Sequence, residues 1–133
     1  MAKTKVMIVE DEIIIAVDLR NELQNLGYSI CSFASSAEKA IKTAEQEKPD
    51  VVLMDIRLKG EMDGFEAARE IHSRYGIPTI FMTALPYEHI KEMTGITEPY
   101  EYIAKPFQAD ALQSAIESVL QKNKEDLGQE KNV

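Results

Sequence analysis

Five short apolar runs, each followed by a segment with helical spacing, constrain this chain more than any other feature. The runs cover residues 5–9, 29–34, 51–54, 77–82 and 100–104. They are apolar on successive residues instead of alternate ones, the pattern of strands covered on both faces of a parallel sheet. A first helix is expected over 12–26, with Ile15, Leu19, Leu23 and Leu26 on one stripe and Gly27 as a stop. A second is expected over 36–47, capped by Ser35 or Ser36 and ended by Pro49. The third opens near Asp63-Gly64 and closes at Gly76, with Phe65, Ala68, Ile71 and Tyr75 at helical spacing. A fourth, over 86–94, has barely two turns before Gly95 and Pro99 interrupt it. The last, over 108–122, sets Leu112, Ala115, Ile116 and Val119 on its inner face. Strand and helix alternating in this way predict right-handed crossovers and an open α/β sheet with helices on both faces.

The chain's 133 residues suit one domain with a core of its own. That domain is expected over residues 1–122, and the polar stretch 123–133, with Gly128 and no apolar face, reads as a frayed tail. A net charge of −8 argues against a nucleic-acid-binding surface, which needs clustered Lys and Arg. The single cysteine, Cys31, lies in a strand-like run and reads as a small buried apolar residue. After the basic start at Lys3 and Lys5, the apolar run ends at Glu10, too short for a signal peptide. No stretch approaches the length of a membrane span, so a cytoplasmic location is expected.

In open α/β sheets, ligands bind in the crevice at the carboxyl ends of the strands. Glu10 and Asp11 follow the first run, Asp55 the third, Thr83 the fourth, and Lys105-Pro106 the fifth. A spatial order of 2-1-3-4-5 would bring these ends together. Three carboxylates at one sheet edge repel one another unless a hard cation joins them, and Mg²⁺ takes oxygen ligands of this kind. A lysine and a threonine beside them complete a site able to hold a metal and a phosphoryl group.

The sequence resembles the receiver domain of two-component response regulators over about residues 4 to 121. The resemblance rests on Glu10-Asp11, Asp55, Met62-Asp63-Gly64, Thr83-Ala84 and Tyr102-Ile103-Ala104-Lys105-Pro106-Phe107, in that order and spacing. It implies the doubly wound, flavodoxin-like (βα)5 fold, with a five-stranded parallel sheet. It further implies that Asp55 accepts a phosphoryl group from a histidine kinase or a histidine phosphotransfer protein, giving an acyl phosphate. Glu10, Asp11, Asp55 and the backbone carbonyl of Arg57 would hold Mg²⁺, with Glu10 standing where many relatives have Asp. Lys105 would pair with the phosphoryl group, and the peptide before Pro106 would be cis. Thr83 would bond a phosphoryl oxygen and Tyr102 would follow it inward, switching the surface of the fourth helix, fifth strand and last helix. That same surface is where a homodimer would form. The resemblance fills the sequence, so output is expected through contact with a downstream protein and not through an attached domain.

This chain departs from the family pattern in places. Lys59 stands where Pro is usual four residues after Asp55, and Gly64 comes one residue later than the commonest spacing. Thr97-Glu98-Pro99-Tyr100-Glu101-Tyr102 replaces a Gly-Ala-rich approach to the fifth strand. Arg57 and Leu85 offer no group to orient a hydrolytic water, so slow spontaneous dephosphorylation is expected. His72 and His89, without partners at metal-ligand spacing, read as surface residues. Other readings stay open. A Mg²⁺-dependent phosphohydrolase with Asp55 as nucleophile would place a second acid where Arg57 stands. A flavin or nucleotide binder would need a phosphate loop where Glu10-Asp11-Glu12 stands. A pseudo-receiver would keep the fold and bind partners without phosphorylation.

Overall fold

A computed structural model describes residues 3–55, 64–83, 101–104 and 108–131, with side chains at 83, 101, 102, 104 and 125–131 excepted. The expectations for the 86–94 helix, Arg57, Lys59, Met62, Asp63, Ala84, Leu85, His89, Lys105, Pro106 and Phe107 lie outside the described residues, as do the side chains of Thr83 and Tyr102.

The elements run β1 (Lys5–Val9), α1 (Ile13–Asn25), β2 (Ser29–Ile30), α2 (Ala37–Glu47), β3 (Val51–Asp55), α3 (Gly64–Tyr75), β4 (Thr79–Thr83), β5 (Glu101–Ala104) and α4 (Ala109–Lys131). All strand pairs are parallel, in the order β2-β1-β3-β4-β5. This is the open, doubly wound sheet that the alternating pattern predicts, in the flavodoxin-like form that the resemblance implies.

Successive residues of each strand serve opposite layers, which explains runs apolar at every position. Met7, Val9, Val52, Met54 and Phe81 pack with Ala37, Ala40, Ala44, Ala67, Ala68 and Ile71 of α2 and α3. Val6, Ile8, Val51, Leu53, Ile80 and Met82 pack with Leu19 and Leu23 of α1 and with Leu112, Ile116 and Val119 of α4. Each large side chain buried this way contributes about 1.5–3 kcal/mol. Where α2 meets its neighbours its buried side chains are all alanines, so helix and sheet approach closely. Ser36 caps α2 by accepting the Lys39 N–H at 3.2 Å.

Three expectations are corrected. The second strand does not run to Ala34. Cys31 N–H donates to Val6 O and Ala34 N–H to Ile8 O, so three residues on this side match two on β1. The extra residue is a bulge, and Ser32 turns its N–H outward onto Glu47 Oε1 at 3.1 Å. Beyond the bulge only the Val9–Ala34 bridge remains. The second correction is at the C-terminus. The last helix does not stop at Lys122 but continues to Lys131, through the stretch expected to fray. Good helix formers (Gln, Lys and Glu) extend a helix already nucleated on the core. Asn123 is buried, its Nδ2 donating to Gly76 O at 2.9 Å and its Oδ1 lying 3.3 Å from His72 Nε2. His72 is therefore half-buried and engaged, not a surface residue.

Candidate metal and phosphoryl site

Strand register brings the carboxylates together. Val9 pairs with Met54 across β1 and β3, so the next residues, Glu10 and Asp55, sit at one level of the sheet's carboxyl edge. Glu10 N–H donates to Ala34 O at 2.9 Å, fixing the backbone where it leaves β1. Glu10 is 3% exposed and Asp55 8%, while Asp11 is half-buried. One carboxylate oxygen from each of the three lies within 4.8 Å of the others.

The neighbouring elements shape this edge. The first residue of α3, Gly64, sits so close to β3 that a Cβ there would meet Met54 Sδ at 3.1 Å and the Asp55 carbonyl oxygen at 3.3 Å. Glycine lets the helix start directly against the backbone of Asp55. Behind it, the rings of Phe65 and Phe81 pack with centroids 4.6 Å apart. Asp55 pairs with Met82, and Thr83, one residue further, pairs with Ala104. The backbones of β4 and β5 thus bring Thr83 and the residue preceding Lys105 to the same edge as the acids. Tyr102 pairs with Phe81, in from that edge.

The donor set suits a hard dication. Around Mg²⁺, at bond lengths near 2.1 Å, neighbouring ligand oxygens stand about 3 Å apart and opposite ones about 4.2 Å, so carboxylates spaced within 4.8 Å would draw together by up to about 1.8 Å on a bound ion. An all-oxygen, largely buried and negative set suits Mg²⁺, and it offers no sulfur or imidazole to a softer metal.

Two features of the site have weak sequence signals. Glu12 N–H donates to Glu10 Oε1 at 3.2 Å, a contact between residues two apart that any acidic cluster could make or omit. The close approach at Gly64 is visible in sequence only as a glycine nine residues after Asp55.

Comparison with known proteins agrees with this geometry. A family model described as response regulator receiver domain matches residues 6–117. The transcriptional regulatory protein PdtaR of Mycobacterium tuberculosis is 35% identical over 121 residues, which cover 91% of this chain and 58% of PdtaR. The chain thus spans little more than half the length of that relative. The signal receiver domain of a modulated diguanylate cyclase from Desulfovibrio desulfuricans G20 superposes with a TM-score of 0.82 at 32% identity, covering 94% of this chain and 99% of that one. The receiver domain of the sensor histidine kinase PA1611 from Pseudomonas aeruginosa PAO1 has a magnesium ion coordinated in its active site cleft. It superposes with a TM-score of 0.76 at 28% identity, covering 90% of this chain and 99% of that one. With its strand order, its acidic edge and this match over most of its length, the chain belongs to the response regulator receiver domain family.

Proposed function

We propose that this protein accepts a phosphoryl group on Asp55 from a phosphohistidine of a partner kinase or phosphotransfer protein, and thereby switches its contacts with a downstream protein. The observation that carries this reading is the convergence of Glu10, Asp11 and Asp55 within 4.8 Å at the carboxyl edge of the sheet. An Asp55 oxygen attacks phosphorus, the P–N bond to the donor imidazole breaks, and the imidazole retains the electron pair and takes up a proton. Glu10, Asp11, Asp55 and the carbonyl of Arg57 would hold Mg²⁺, which when bound neutralises charge on the carboxylates and the transferring oxygens. Glu10, which is buried, and Asp11, which is half-buried, would keep the ion beside Asp55.

In the same reading, Lys105 reaches the phosphoryl group from the end of β5, and Thr83 bonds one of its oxygens. Tyr102 follows Thr83 inward and alters the outer surface of β5 and α4. The chemistry is performed on the protein's own side chain, so no separate substrate is turned over. The phosphodonor is a cytoplasmic domain, and the protein meets it there. Among the described residues, no helix is long and apolar enough to cross a membrane.

Incubation with acetyl phosphate and Mg²⁺, followed by intact-mass measurement, tests the proposal. Addition of one phosphoryl group that disappears in Asp55→Asn and in EDTA is expected. Absence of labelling by both acetyl phosphate and a cognate kinase would instead favour a receiver that binds partners unphosphorylated.

A further inference from the structure

The bulge that follows β2 borders a cavity of about 380 Å³ on the flank of the sheet, and none of its lining residues belongs to the acidic cluster. Arg20 reaches it from α1 and Glu47 from the last position of α2. Ile30 and Phe33 give it apolar surface, beside the buried Cys31. Both charged groups are half-buried and held in place. The Arg20 guanidinium lies 5.7 Å from the centroid of the Phe33 ring, and Glu47 Oε1 accepts the Ser32 N–H at 3.1 Å. Yet among the described residues no ion pair joins Arg20 to Glu47, or either of them to another side chain. One cavity thus presents a fixed cation and a fixed anion that do not neutralise each other.

We propose that this cavity binds a free α-amino acid with an apolar side chain, its carboxylate on Arg20 and its ammonium on Glu47. The charge pattern selects the class. A simple anion would pair with Arg20 but meet repulsion from Glu47, and a simple cation would meet the reverse. A zwitterion carries both charges a few ångströms apart and satisfies both walls. The planar guanidinium can take a carboxylate through two parallel bonds. A carboxylate has about four lone-pair sites, so Glu47 can receive an ammonium while keeping the Ser32 amide. The ligand's side chain then covers the apolar surface of Ile30 and Phe33. The volume lies within the range of about 300–1,000 Å³ usual for small-molecule sites. A bound amino acid bridges α1 to α2 across this flank, independently of any phosphoryl chemistry at the acidic edge.

Titration of the full chain, followed by amide NMR shifts, tests the proposal with L-leucine, L-phenylalanine and two truncated analogues of leucine. These are 4-methylpentanoate, which lacks the ammonium, and isopentylamine, which lacks the carboxylate. Saturable shifts centred on Arg20, residues 30–33 and Glu47 are expected for at least one of the amino acids, with a Kd of about 1 mM or tighter. Each truncated analogue should bind at least about tenfold more weakly than leucine. Glu47→Gln keeps an acceptor for the Ser32 amide and removes the charge, so it should weaken the amino acids and strengthen 4-methylpentanoate. Arg20→Gln should weaken the amino acids and strengthen isopentylamine. Such opposite changes cannot come from a general loss of structure, which would weaken every ligand alike. No saturable shift with either amino acid by about 20 mM overturns the proposal. So does equal binding of leucine and its truncated analogues, or unchanged amino-acid binding in both variants.

Discussion

Asp55→Asn should make the ion-free protein more stable. Asp55 shares its pocket with Glu10 and Asp11, with ligand oxygens within 4.8 Å of one another. At that largest separation and an effective dielectric of about 20, two unit charges repel by about 3.5 kcal/mol before further screening by solvent. Solvent around the half-buried Asp11 screens its share, and Asp55 loses part of the further interactions it makes when it becomes an amide. A net stabilisation of about 1–2 kcal/mol follows. For 133 residues the unfolding entropy is about 0.28 kcal/mol/K, so Tm should rise by roughly 4–7 °C. Mg²⁺ works in the opposite sense between the two proteins. At tenfold its Kd it should stabilise the wild type by about 1.4 kcal/mol, or roughly 5 °C, and the variant far less. Thermal unfolding followed by circular dichroism, in EDTA and in MgCl₂, reads all four states. A lower Tm for Asp55→Asn in EDTA, or an equal Mg²⁺ shift in both proteins, would refute mutual repulsion as the dominant force at this edge.

Other outcomes are expected away from the site. Thr79 is fully buried and its hydroxyl has no hydrogen-bond partner among the described residues, so Thr79→Val should raise urea-unfolding stability by about 1 kcal/mol; a loss of more than that would reveal a bond the hydroxyl makes. Burial, with Glu47 and Asp50 adding to it against the opposing pull of Lys5, raises the Cys31 pKa to about 11. At pH 8 alkylation of the folded protein should therefore be roughly two orders of magnitude slower than in urea. Because the folded-state pKa is the higher one, the thiol's contribution to stability is complete below the unfolded pKa and is lost as pH rises through about 11. Comparable alkylation rates in the folded and unfolded protein would contradict this. Asn123→Ala leaves Gly76 O without its 2.9 Å donor and should cost about 1–3 kcal/mol in urea, with little effect on Mg²⁺ affinity at the far end of the sheet.

The topology was legible because parallel strands covered on both sides announce themselves as unbroken apolar runs, and the order β2-β1-β3-β4-β5 is the one that gathers Glu10, Asp11 and Asp55. Those acids were legible for the same reason: each stands where an apolar run stops. What escaped the sequence depended on contacts between distant residues. β2 ends early because Ser32 reaches Glu47, fifteen residues away. Asn123 reads as the first residue of a polar tail, yet it bonds Gly76, forty-seven residues away, and the helix runs on past it. The bond from Glu12 to Glu10 was hidden differently, since it depends on one side-chain rotamer and leaves no mark in residue pattern.

The bulge that follows β2 also bears on how this flank of the sheet meets other chains. A parallel sheet must end somewhere, and a bare flank invites another chain to add itself. Here the Ser32 amide is already taken by Glu47, and Arg20 lies 5.7 Å above the ring of Phe33 beside it. An incoming segment would have to evict a carboxylate and lie along a flank that is no longer straight. The occupied Ser32 amide and the bent flank thus disfavour strand addition at this border.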